Sequence, residues 1–149
     1  MSMMTLRLDA FIPYRLSVAS NAVSARISAS YRKRFGLKVP EWRLIAILAE
    51  GHEMTPQALG HAARIDKISV SRAAATLIER GLICQRANPG DGRSHLLSLT
   101  VDGRALYSEI APAAIAMEAD LLAGLSMSER TALDTLLRRI EAAADADST

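Results

Sequence analysis

Apolar residues recur at helical spacing along most of the chain, interrupted by a single stretch of different period. Residues roughly 7–34 form a long candidate helix with Val18, Ala19, Ala22, Val23 and Ile27 on one stripe, ending near Gly36 behind a basic cluster, Arg32, Lys33 and Arg34. Pro40 and Glu41 open a second helix, "PEWRLIAILAE", which Gly51 closes. Thr55 and Pro56 open a short third helix to about Ala63, and Asp66 is placed to cap a fourth, whose end is Gly81. After Gly81 the helical period gives way to two short aliphatic runs, "LICQR" and "HLLSL", separated by "ANPGDGRS". That pattern predicts a β-hairpin with a long loop. Thr100 with Asp102 begins a fifth helix to about Ala123, kinked at Pro112. Ser126 and Glu129 form a capping box for the last helix, whose apolar stripe is Leu133, Leu136, Leu137 and Ile140.

On a helical wheel the fourth helix divides cleanly. Val70, Ala73, Ala74, Leu77 and Ile78 face the core, while Ile68, Ser69, Arg72, Ala75, Thr76 and Glu79 face outward. Small residues let such a face approach a surface closely, hydroxyls can donate to phosphates or base edges, and an arginine can pair bidentately with guanine. A short helix, a tight turn at Arg64-Ile65-Asp66 and this second helix make a helix-turn-helix, and the hairpin that follows reads as a wing. Arg93 at the wing tip and Arg86 at its base suit a narrow, electronegative minor groove.

Composition narrows the classes without altering this picture. A chain of 149 residues, half of them hydrophobic, is expected to fold as one domain, 1–149, and no apolar run approaches a membrane span. Residues 1–59 carry eight Lys or Arg against four Asp or Glu, residues 60–105 seven against four, and residues 106–149 three against eight. A basic front therefore precedes an acidic tail, which fits a polyanionic partner. The single cysteine, Cys84, excludes an intrachain disulfide, and Asp9 and Arg15 interrupt the mildly apolar N-terminal stretch, so the expectation is a cytoplasmic protein without a secretion signal. His52, His61 and His95 lack ligand spacing, and no catalytic signature presents itself; neither metal, cofactor nor enzymatic activity is expected.

Three stretches together, "RFGLKVPEWRLIAIL" at 34–48, "TPQALGHAARIDKISVSRAAATLIERGLI" at 55–83 and "NPGDGRSHLLSLTVDGRAL" at 88–106, give the chain its resemblance to the MarR (multiple antibiotic resistance regulator) family of winged-helix transcription factors. The resemblance implies a mainly α fold with a small β-wing: a winged helix-turn-helix lobe at 40–106, and helices at 7–36 and 107–147 that dimerise. It further implies a homodimer that reads a pseudo-palindromic double-stranded operator with half-sites about one helical turn, roughly 34–36 Å, apart, and that most often acts as a repressor. By position in the family's motif, Ser69, Ser71 and Arg72 are expected to contact bases, with Thr76 on the same face. Lys67 and Arg64 are expected to contact phosphates, and Arg93 the minor groove, with Arg86 below it. Gly92 stands where many relatives carry a second basic residue. The family's effectors are commonly aromatic carboxylates; Tyr14, Arg15 and Trp42 are the candidates to bind one, although Trp42 beside Leu44 and Ile45 also reads as ordinary core. Peroxide-sensing relatives carry their cysteine in the first helix, whereas Cys84 falls in the first wing strand. The competing class is a winged helix that binds a protein rather than DNA.

Overall fold

The structure, a computed structural model, describes residues 3–146, so the expected dimerisation segment at 107–147 ends one residue outside the described part. A 3-10 turn at Leu8–Ala10 precedes six helices and one hairpin: α1 (Ile12–Phe35), α2 (Val39–Gly51), α3 (Pro56–Ala63), α4 (Lys67–Glu79), β1 (Ile83–Asn88), β2 (Asp91–Leu99), α5 (Val101–Leu121) and α6 (Met127–Ala146).

The helix ends follow from local chemistry. Gly36 terminates α1 at φ 63, a left-handed conformation that costs glycine nothing. At the start of α2 the Glu41 carboxylate accepts the Lys38 backbone N–H at 3.0 Å, which satisfies the one charged side chain in the buried set. Thr100 caps α5 by accepting the Gly103 N–H at 3.0 Å while its hydroxyl donates to the Gly81 carbonyl at 2.6 Å. The Ser126 and Glu129 box forms at α6, with bonds of 2.8 and 3.1 Å. The helix α5 runs through Pro112, which has no amide to donate to the carbonyl four residues back.

The chain's packing divides into two compact units, the first ending at Ile110 and the second beginning at Ala111. In the first unit, Leu44, Ile45 and Leu48 of α2 pack with Leu59 of α3, Val70 and Leu77 of α4, and Ile83 and Leu97 of the hairpin; all are buried. Each such side chain contributes about 1.5–3 kcal/mol of hydrophobic stabilisation. A backbone bridge ties the α2–α3 connection to the sheet: Met54 and Leu97 exchange N–H to carbonyl bonds of 3.0 and 2.7 Å. Gly103 at the start of α5 is required by contact, since a Cβ there would lie 2.1 Å from the Leu82 carbonyl oxygen. The second unit, from residue 111, contains no buried residue among those described, and the whole apolar stripe of α6 is exposed. Among the described residues no helix is long and apolar enough to cross a membrane, and no three His, Cys, Asp or Glu side chains cluster as a metal site requires.

Candidate nucleic-acid interface

The helix-turn-helix is set by two caps and one close crossing. Thr55 accepts the Ala58 N–H at 3.1 Å to begin α3. The chain then reverses at Arg64, which is left-handed at φ 57, and the Ile65 N–H returns to the Gly60 carbonyl at 3.0 Å. Gly60 lets α4 cross at close range: a Cβ would stand 3.0 Å from Val70 Cγ2 and 3.2 Å from the Ile65 carbonyl oxygen. Asp66 caps α4 as the sequence predicts, accepting the Ser69 N–H at 2.8 Å. Val70, Ala73, Ala74 and Leu77 are buried beneath it and Ile78 half-buried, in the expected orientation. At its far end Arg80 donates to the Gly36 and Phe35 carbonyls at 3.1 and 3.2 Å, so the last residues of α1 are tied directly to the end of α4.

The outer face of α4 separates into groups already engaged and groups available. The Ser69 hydroxyl donates to Asp66 Oδ2 at 2.8 Å, and the Thr76 hydroxyl donates back to the Arg72 carbonyl at 3.1 Å. Each hydroxyl has a single proton, so both residues, expected as DNA contacts, can offer only acceptor lone pairs unless these bonds break. Ser69 is also half-buried, bordering a hollow of about 150 Å³ with Lys38, Glu41 and Arg72. Among the described residues, by contrast, no hydrogen bond or ion pair engages the exposed side chains of Lys67, Ser71 and Arg72. The Asp66 carboxyl is held below the ordinary carboxylate range by the Ser69 backbone N–H first and its hydroxyl second.

The wing is tighter than its sequence implies. β1 and β2 pair antiparallel from Ile83 opposite Leu99 to Ala87 opposite His95, then jump to Asn88 opposite Asp91. Only Pro89 and Gly90 turn; Gly92, Arg93 and Ser94 form a bulge in β2, where the expected long loop would have been. Side chains pin this end: Asn88 Oδ1 accepts the Gly90 N–H, Asn88 Nδ2 donates to Ser94 Oγ at 2.9 Å, and Asp91 Oδ1 accepts the Arg93 N–H at 3.0 Å. Arg93 therefore projects from a braced tip. Arg86 is not available in the same way, because its guanidinium grips Glu53 with bonds of 2.6 and 2.7 Å. The hydrogen bond from Arg86 lowers the Glu53 carboxyl below its usual range and raises the guanidinium in turn. This fork-on-carboxylate pair ties the wing to the α2–α3 connection and offsets part of the guanidinium's charge.

Between α3–α4 and the wing lies a cleft of about 1180 Å³, with Lys67 and Ser71 on one wall and Arg93 on the other. His61, Gln57, Gln85 and His95 also line it. Sequence reading missed these four as a group, because histidines were weighed only as metal ligands and glutamines carry no motif. The effector candidates are not brought together within one chain. Trp42 packs against the buried Tyr31 with tilted rings, 5.0 Å between centroids and 53° between planes, and burial raises the Tyr31 hydroxyl above its usual range. Tyr14 and Arg15 are exposed in the first turn of α1, about 24 Å along that helix from Tyr31 at 1.5 Å per residue. Trp42 is half-buried against Tyr31, the packing its neighbours in sequence allow.

Comparison with known proteins agrees with this geometry. A MarR family model matches residues 35–94. A protein of Thauera aromatica described as a transcriptional regulatory protein for the hcr operon is 30% identical over 97 residues, which is 65% of this chain and 58% of that protein; the chain spans under three fifths of its length. A MarR family transcriptional regulator of Silicibacter pomeroyi is 30% identical, with 91% of this chain and 99% of that one covered at a TM-score of 0.75. A MarR/EmrR family regulator of Acinetobacter is 26% identical, with 94% and 99% covered at 0.85. BpsR of Bordetella bronchiseptica, whose DNA binding is regulated by 6-hydroxynicotinic acid, is 25% identical, with 93% and 98% covered at 0.86.

Proposed function

The chain belongs to the MarR family of transcriptional regulators, a family of regulators rather than enzymes, and from that premise we propose that it is a homodimeric, sequence-specific repressor of the cytoplasm that a small aromatic acid releases from its operator. The observation that carries the DNA-binding reading is the unengaged polar face of α4, with Lys67, Ser71 and Arg72 exposed on a helix fixed at both ends. Arg72 reads a base, Lys67 and Arg64 meet phosphates, and Arg93 enters the minor groove; Ser69 and Thr76 serve as acceptors beside them. Dimerisation is supported by apolar stripes that this chain leaves open: Leu133, Leu136, Leu137 and Ile140 of α6 are 37–49% exposed, and Tyr14, Val18 and Val23 of α1 are 37–39% exposed.

The effector reading rests on two supports. BpsR is regulated by 6-hydroxynicotinic acid, and Tyr14 and Arg15, both exposed at the start of α1, supply the residue types, a ring and a cation, that suit a carboxylate-bearing aromatic. The test is a fluorescence-anisotropy titration against the DNA upstream of the chain's own gene, beside a scrambled duplex, with and without a panel of aromatic acids. Tight binding of one dimer per site, reversed by one acid, is the expected result. Equal binding to scrambled DNA at low salt would turn the reading toward a protein-binding winged helix.

A further inference from the structure

His61 lies in the last turn of α3 and His95 stands on β2 at the base of the bulge, opposite Ala87; both are exposed and both line the cleft, whereas His52, at the end of α2, does not. An imidazole is the ordinary side chain whose charge changes between about pH 5 and 8. Two of the chain's three histidines thus stand on opposite walls of one groove, together with Lys67 and Arg93. We infer that His61 and His95 seat the DNA phosphate backbone in the cleft between α3–α4 and the wing, and that they take up protons as they do so, making operator affinity rise as pH falls. The inference rests on the DNA-binding reading above and adds a regulation to it.

The charged groups facing the two histidines set the sign. Lys67 of α4 and Arg93 of the wing oppose a further positive charge in the free protein, and Glu79 of α4 and Asp91 of the wing favour one; α3 contributes no other titratable group to the lining. Glu53 and Arg86 are occupied with one another and do not line it. A phosphate brought between the walls adds a negative charge that stabilises imidazolium over imidazole, so protons bind more tightly in the complex than in the free protein. The gain in affinity is then complete at a pH low enough to charge both histidines in the free protein, and is lost as pH rises through their titration in the complex.

The test is operator binding by anisotropy from about pH 7.5 to 5.5, at two salt concentrations, for the wild type, His61→Gln, His95→Gln, the double variant and His52→Asn. His52 does not line the cleft, so this last variant controls for an uninvolved histidine. The wild type and His52→Asn are expected to bind about tenfold or more tighter at the lower pH, each histidine contributing up to roughly tenfold per pH unit. Their log-log salt slope should steepen by about 0.9 for each phosphate gained. The double variant should lose most of both effects, with each single variant between. Wild-type affinity that ignores pH, or a pH gain that survives in the double variant, would overturn the inference and leave salt-sensitive, specific DNA binding intact. Absence of any preference for operator DNA would overturn the regulator reading, and this inference with it.

Discussion

Arg72 and Arg86 lie on the same lobe in opposite electrostatic circumstances. Arg72 is exposed with no partner among the described residues, while Arg86 is forked onto Glu53. Substituting Arg72 with alanine should cost about 1–3 kcal/mol of discrimination for the preferred operator over a single-base variant, measured by competition; equal losses on every sequence would mean that it reads no base. Arg93→Ala should weaken binding to all sequences more evenly, with residual sensitivity to flanking A·T content. Arg86→Ala should change operator affinity by less than about threefold, because an ion pair turned toward a carboxylate contributes little to a distant phosphate. The sequence identifies the residue types on this face but not their prior commitments. Ser69 and Thr76 look as available as Ser71 until the Asp66 cap and the Arg72 carbonyl are seen to hold their protons. Glu53 and Arg86 are 33 positions apart, so no local pattern reveals the pair.

At the scale of elements, the caps govern how firmly the reading helix is held. Thr55→Ala should lower stability by about 1 kcal/mol through loss of the α3 cap, read from denaturant unfolding. Gly103→Ala should cost more, because the new methyl meets a backbone carbonyl that cannot swing aside. The lowered Asp66 carboxyl makes a pH prediction whose sign is fixed: a depressed carboxylate stabilises the fold above its unfolded value of about 3.9, and the stabilisation fades as pH falls through the folded value. The difference in melting temperature between the wild type and Asp66→Asn should therefore shrink as pH is lowered from about 6 to 3, and a constant difference would remove the cap's ionic part. Helix starts were legible because hydroxyl, carboxylate and proline at a first turn act locally. The wing was misjudged because five turn-forming residues in a row, Asn88 to Gly92, fit a long loop and also a two-residue turn with a bulge, and only the cross-strand register, Ala87 opposite His95 and Asn88 opposite Asp91, distinguishes them.

For the whole molecule, the apolar stripes of α1 and α6 are the feature a single chain leaves unexplained. Leu136→Asp with Leu137→Asp should shift sedimentation from dimer to monomer and weaken operator binding by at least about tenfold, since one lobe then binds without its neighbour; an unchanged dimer would move the interface elsewhere. The periodicity of α6 was legible, but the division of the packing at Ile110 was not, because length alone does not tell an apolar face that completes its own core from one kept for another chain. Likewise Tyr14, Arg15 and Trp42 look like one aromatic and basic set in sequence, yet the length of α1 separates Trp42 from the other two. The central claim, that the helix-turn-helix and wing form a DNA-reading surface, is tested most directly by the salt dependence of binding to the operator. A log-log slope that falls by about 0.9 for each phosphate neutralised, and that is made shallower by Lys67→Ala and Arg93→Ala, is the predicted result. A shallow slope indifferent to both substitutions would contradict it.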